Sequence, residues 1–165
     1  MKKIILMLVV AISFMGCGSS VDQKNLDAKL VVGKSLKDFE LKDQHEKVQR
    51  LPEDTKVIFF SFSKPVGHKC NQFLEKHPED YLPNHNTVYV ADVSPAPSII
   101  KNMFILPDLK KLKFPILLIN DDKTSAEYNK GINKDKIVIV YLKDRVITKI
   151  SYIDNQQELE DIISK

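Results

Sequence analysis

Apolar positions along this chain fall into short runs separated by polar turns, and their period switches between that of a strand and that of a helix. Residues 56–62, Lys-Val-Ile-Phe-Phe-Ser-Phe, form a continuous apolar run of strand length, which predicts a buried first central strand. A helix is predicted over 67–76, where Cys70, Phe73, Leu74 and His77 fall on one face. Pro78 closes it by disfavouring helical geometry in the residue before. Residues 86–93 predict a second strand through the β-branched Val88, Val90 and Val93. Pro95 and Pro97 open the next helix, with Ile99, Ile100, Met103 and Phe104 as its apolar face. A third strand is expected at 115–120, stopped by Asp121-Asp122. Residues 136–142 and 146–153 flank Lys143-Asp144-Arg145 as a hairpin, and Asn155 with Glu158 has capping-box spacing before a last helix burying Leu159, Ile162 and Ile163.

Upstream, Asp38-Phe39-Glu40-Leu41 and Val48-Gln49-Arg50-Leu51 alternate around a charged turn, predicting a small N-terminal hairpin before the main sheet. Strands alternating with helices, then a terminal hairpin and helix, indicate an α/β domain: a mixed central sheet with helices on both faces. The sequence has no internal repeat and no low-complexity stretch.

The first residues break this pattern. Met1-Lys2-Lys3 precedes an apolar run over 4–14, the basic end and short hydrophobic stretch of a secretory signal. It is well short of the roughly 20 residues needed to span a membrane. Phe14-Met15-Gly16-Cys17 resembles the lipobox of bacterial lipoproteins, with Cys17 as the lipid acceptor, although Phe14 and Met15 replace the usual Leu and small residue. The alternative is an ordinary signal peptide with an incidental cysteine. Lipidation is the preferred reading because the cysteine directly follows the apolar run and precedes Gly-Ser-Ser. The resemblance implies a bacterial envelope protein held by lipid on Cys17 and facing the periplasm, and Gly18 suits the outer membrane. The expected organisation is a signal peptide at 1–16, a polar lipid-attached tether at 17–29 and one domain at 30–165.

Composition adds little beyond this. A chain of 165 residues, 43% hydrophobic and 28% charged, fits one soluble globular domain. Two of its three net positive charges belong to Lys2 and Lys3, so no strong field points to nucleic acid. With Cys17 lipidated, Cys70 is the single thiol and no intramolecular disulfide can form.

The order of elements resembles the thioredoxin superfamily from Gly33 to the C-terminus, which implies a three-layer α/β/α sandwich. The peroxiredoxin branch fits best. Gly33, Leu36, Asp38-Phe39 and Leu41 sit like its opening Gly-x-x-x-Pro-Asp-Phe-x-Leu, without the proline. Phe114-Pro115-Ile116-Leu117-Leu118, Asp121 and Tyr128 are similar to the stretch that follows. The chain also resembles the YtfJ-type periplasmic proteins, a thioredoxin-like group without paired cysteines. Catalytic motifs do not carry over. Cys70 follows Phe62 at the spacing of the second cysteine of a thioredoxin, which puts Gly67 where the attacking cysteine belongs. The peroxiredoxin motif counted from Pro65 puts Lys69 at its threonine and Gln72 at its cysteine. Residues 134–136 replace the peroxiredoxin arginine, and Asp135 replaces the thioredoxin proline.

Cys70 is the one catalytic candidate. A thiol near a helix N-terminus beside His68 and Lys69 could be a nucleophile, but its spacing with Phe73 and Leu74 favours a place in the core. The segment Lys64, Pro65, Gly67, His68 and Lys69 is the best ligand- or partner-binding candidate, because ligands of open α/β sheets sit beyond the carboxyl ends of the strands. Pro115, on a loop that the resemblance places opposite, is expected to complete a shallow pocket. His68, Cys70, His77 and His85 share no recognised metal-ligand spacing, and neither a metal nor another cofactor is expected. Lys110, Lys111 and Lys113 lack flanking aromatics and read as a solvated face rather than a nucleic-acid site, and Asp121-Asp122 reads as a polar turn. The leading expectation is a non-catalytic binding module with an envelope protein as partner. The alternative is a single-cysteine thiol-disulfide reductase or peroxidase acting through Cys70.

Overall fold

The computed structural model describes residues 26–165. The expected signal peptide and Cys17 lie outside the described residues. Seven strands form one sheet: β1 (Glu40–Asp43), β2 (Val48–Arg50), β3 (Val57–Ser61), β4 (Thr87–Asp92), β5 (Leu117–Ile119), β6 (Ile137–Lys143) and β7 (Val146–Ile153). Their order across the sheet is β2-β1-β5-β4-β3-β6-β7. β3, β4 and β5 run parallel, and β1 and β6 join them antiparallel. The N-terminal hairpin therefore extends the main sheet, through the pairs Lys42↔Leu118 and Asp43↔Leu117. The terminal hairpin turns at Asp144 and Arg145, whose φ angles of 52° and 60° give the left-handed pair of a type I′ turn.

Every residue of β3 is buried, as its unbroken apolar run requires of a strand covered on both faces. Val57 and Phe59 face α1 (Lys64–Leu74), α4 (Leu106–Leu109) and α6 (Gln156–Ile163). Ile58 and Phe60 face α5 (Asp122–Asn129) and the N-terminal segment carrying Leu30, Leu36 and Phe39. This is the three-layer sandwich expected from the sequence. Leu26 and Lys29 are held against the α5 side, the Leu26 carbonyl accepting from Lys130 Nζ at 2.8 Å and the Lys29 N–H donating to the Glu127 carbonyl at 2.9 Å.

Three elements differ from expectation. α1 starts at Lys64, because Pro65 is compatible with a first helical turn, where its missing N–H costs nothing. α5 forms where a polar turn was expected: Asp121 caps it, accepting from the Thr124 N–H at 2.9 Å. The third difference is the helix after β4. α3 (Ser98–Ile100) runs through a π-helical segment (Lys101–Ile105) into α4, where Pro107 lacks an N–H and its ring would press on the Met103 carbonyl of a regular helix. Ile99, Ile100, Met103 and Phe104, expected to pack inward, are 71%, 44%, 65% and 56% exposed. The sheet is covered instead by a second apolar stripe, Ile105, Leu106 and Leu109, on another side of the same helix, continued by Leu112 just beyond its end. A short α2 (Tyr81–Asn84) follows α1.

Candidate functional site

The carboxyl end of β3 and the first turns of α1 make the site to which the sequence points. Ser63 is extended, and the chain turns directly into the helix. Lys64, Pro65, Gly67, His68 and Lys69 are thus helical residues rather than a loop. Lys64, Pro65, His68 and Lys69 are exposed and Gly67 half-buried, while Val66 and Cys70 point into the core. The Lys69 ammonium donates to the Asp154 carbonyl at 3.2 Å, and Gln156 Nε2 donates to the Lys69 carbonyl at 3.0 Å. These bonds fasten the helix to the start of α6, and Lys136 pairs with the Asp154 carboxylate beside them. The surface is firm and rich in donors, and holds no exposed thiol.

Beneath it lies a sealed polar cluster. Tyr89 and Cys70 are completely covered, and the Tyr89 hydroxyl shares a hydrogen bond of 2.9 Å with Ser61 Oγ. Burial pushes the Cys70 thiol up to about 12, a rise that hydrogen bonding to Tyr89 and the Lys69 charge only partly offset. Burial likewise holds the Tyr89 hydroxyl well above its ordinary range, with Cys70 as a second cause. Cys70 is therefore a protonated core thiol at neutral pH, and thiolate chemistry has neither charge nor access there. A Cβ on Gly67 would sit 3.4 Å from Ser61 Oγ, so even a small side chain there would rest on the lid of this cluster.

Pro115 does not join this surface. Phe60 pairs with Val90 and Val90 with Leu117, so Pro115 lies near the amino ends of the parallel strands and Ser63 beyond their carboxyl ends. The separation is roughly 16 Å along the strands and about 10 Å across them. The shallow pocket expected from Lys64, His68 and Pro115 together is not formed. Pro115 instead lines a cleft of about 410 Å³ with Arg50, Thr55, Leu82 and Asn86. A second cleft of about 590 Å³ lies between the N-terminal hairpin, Leu106, Lys110 and the start of α5. Sequence reasoning missed both, because they are assembled from segments far apart in the chain.

The remaining candidates have structural roles. Phe73, His77, Tyr81 and His85, four apart in sequence, stack in a column, with His77 and Tyr81 ring centroids 4.0 Å apart. Glu160 accepts from Tyr81 at 3.2 Å and lies 3.0 Å from His77 Nε2, tying α6 to this column. The fourfold spacing was legible in the sequence, but the Glu160 partner was not. Lys110 and Lys111 pair on the surface with Glu46 and Asp108. Burial raises and bonding to Thr124 lowers the Asp121 carboxyl, and the lowering prevails, as a helix cap requires. Among the described residues no three His, Cys, Asp or Glu side chains are grouped to hold a metal ion, and no helix is long and apolar enough to cross a membrane.

Comparison with solved structures decides the fold. The chain is similar to a candidate thioredoxin from Neisseria meningitidis at 17% identity, over 84% of this chain and 89% of that one, with a TM-score of 0.54. It is similar to a peroxiredoxin 6 of Arenicola marina at 14% identity, over 82% and 72%, with a TM-score of 0.52. The fold is thioredoxin-like. A further match is StoA from Bacillus subtilis, 16% identical over 77% and 96%, with a TM-score of 0.50. No protein-family model and no curated protein matches the sequence. In this thioredoxin-like fold the first turns of α1 carry Gly67, an exposed His68 and Lys69, and an inaccessible Cys70.

Proposed function

We propose that this is a bacterial envelope lipoprotein, anchored through Cys17 and facing the periplasm at the outer membrane, whose thioredoxin-like domain binds a partner without thiol chemistry. The observation that carries the reading is the complete burial of Cys70 on the inward face of α1, together with Gly67 at the position of the attacking cysteine. A dithiol enzyme of this fold needs an accessible thiolate at one of these positions and a peroxidase one at the position of Gln72, and none of the three residues supplies it. The exposed Lys64, Pro65, His68 and Lys69 form the proposed contact surface, held rigid by the bonds to Asp154 and Gln156.

The test is turnover. The purified protein should reduce neither peroxide nor a protein disulfide in the presence of an external thiol. Activity that disappears in Cys70→Ser would establish the competing reading, a single-cysteine reductase or peroxidase, which the likeness to a peroxiredoxin keeps in view. The address is tested separately: Cys17→Ser should leave an unprocessed precursor or release soluble protein. A mature N-terminus downstream of Cys17 and free of lipid would refute the anchor.

A further inference from the structure

The parallel ladder between β4 and β5 stops short of the start of β4, and a cleft opens where it stops. The Val93 N–H donates to the Ile119 carbonyl at 2.9 Å, and the Val57 N–H to the Asn86 carbonyl at 3.4 Å. Alternate residues of a strand turn their main-chain groups to the same side, so Val88 and Val90 bond to β3 while Thr87, Tyr89 and Ala91 face β5. The β4–β5 ladder begins only at Val90↔Leu117. To extend it, Pro115 would have to donate to the Thr87 carbonyl, and proline has no N–H. The buried Gln44 also holds this stretch towards β1. Its Nε2 donates to the Phe114 carbonyl at 2.8 Å, its Oε1 accepts from the Ile116 N–H at 2.9 Å, and its own N–H donates to the Ile116 carbonyl at 3.1 Å. Among the described residues, the Thr87 N–H, the Thr87 carbonyl and the Tyr89 N–H are left without a hydrogen-bond partner.

Buried main-chain groups are almost always paired, yet these three belong to buried residues and face a cleft of about 410 Å³. Along about 7 Å of strand they run donor, acceptor, donor. An extended peptide offers acceptor, donor, acceptor in return, whereas a carboxylate or phosphate would leave the Thr87 carbonyl unpaired. Pro52, Leu82, Pro83 and Pro115 make apolar walls, and Arg50 and Asp54 bring one charge of each sign, so the cleft selects for an apolar side chain and against no net charge. We propose that it receives an extended peptide, whose main chain pairs with Thr87 and Tyr89 in the ladder position that β5 leaves empty and whose apolar side chain lies against Leu82 and Pro83. The cleft sits near the amino ends of the parallel strands, so this second binding site is independent of the α1 surface.

The probe is the blocked tripeptide acetyl-Val-Leu-Val-amide at millimolar concentration, with amide hydrogen exchange of the purified full-length protein read residue by residue. Without the probe, the Tyr89 amide should exchange about tenfold faster than those of Val88 and Val90, which are bonded to β3. Equal protection of all three would show that Tyr89 already has a partner and would refute the open edge. Addition of the probe should slow exchange at Thr87 and Tyr89 by about tenfold and leave Val88 and Val90 unchanged. The same tripeptide methylated on its main-chain nitrogens cannot complete the pairing and should give no protection. Failure of the unmethylated probe to protect Thr87 and Tyr89, or equal protection by the methylated one, would overturn the proposal. So would protection at Val48 or Tyr152 alone, which would put strand addition on the outer edges of the sheet, β2 or β7.

Discussion

Two helices leave the carboxyl ends of neighbouring parallel strands, β3 and β4, and cover the same face of the sheet in opposite ways. α1 turns Val66, Cys70, Phe73 and Leu74 inward and leaves no thiol at the surface of its first turns. The helix after β4 carries two apolar stripes, buries one and leaves the other in solvent. The lesson is that a helical period identifies a stripe but not its destination. A single stripe is driven to the sheet, whereas of two competing stripes the sheet can cover only one, and the other stays exposed.

Truncation should separate the two helices most strongly. Phe73→Ala should cost about 3–5 kcal/mol of unfolding free energy, and Phe104→Ala no more than about 0.5 kcal/mol, both read from denaturant titration. Similar losses at the two positions would erase the distinction. Alkaline pH should find the same sealed region. The folded protein holds the Cys70 proton up to about 12, against an ordinary value of 9.0, so the stabilisation is intact below pH 9 and is lost as pH rises towards 12. The contribution is up to about 1.4 kcal/mol per pH unit, and Cys70→Ala should flatten the profile by that amount. Tyr128, also raised to about 12 by burial and then by Glu127, steepens the fall above pH 10 in both proteins.

Smaller effects sharpen the picture. Asp121→Ala removes the cap of α5 and should cost about 1 kcal/mol, with a larger loss at neutral pH than in acid, because the carboxyl is held below its ordinary range and its bond to Thr124 disappears on protonation. Gly67→Cys should change stability by less than about 1 kcal/mol, since a better helix former offsets the 3.4 Å approach to Ser61. The introduced thiol should label with maleimide in the folded state while Cys70 stays unlabelled. Labelling of both would show that α1 does not present its two faces as described.

Much of the architecture was legible because its signals are local. The unbroken apolar run of β3, the polar turn between β6 and β7 and the inward spacing of Cys70, Phe73 and Leu74 depend on neighbours in sequence. Asn155 caps α6 by accepting from the Glu158 N–H, as the spacing indicated, although Glu158 returns its bonds to the Asp154 N–H and the Asn155 amide. What was not legible depends on competition or topology. α5 buries only Ser125 and Tyr128, too few positions to reveal a helical period. Its signal was the cap, Asp121 three residues before Thr124. The distance of Pro115 from α1 follows from strand order and direction, which no motif encodes.

The sealing of Cys70 inside the domain is tested most directly by its alkylation rate in the folded protein near neutral pH, compared with the rate after denaturation. Complete burial and a pKa near 12 predict a thiol that stays unmodified while the fold is intact and reacts promptly once it is lost. Rapid alkylation of the folded protein would contradict the account and return Cys70 to the role of a nucleophile.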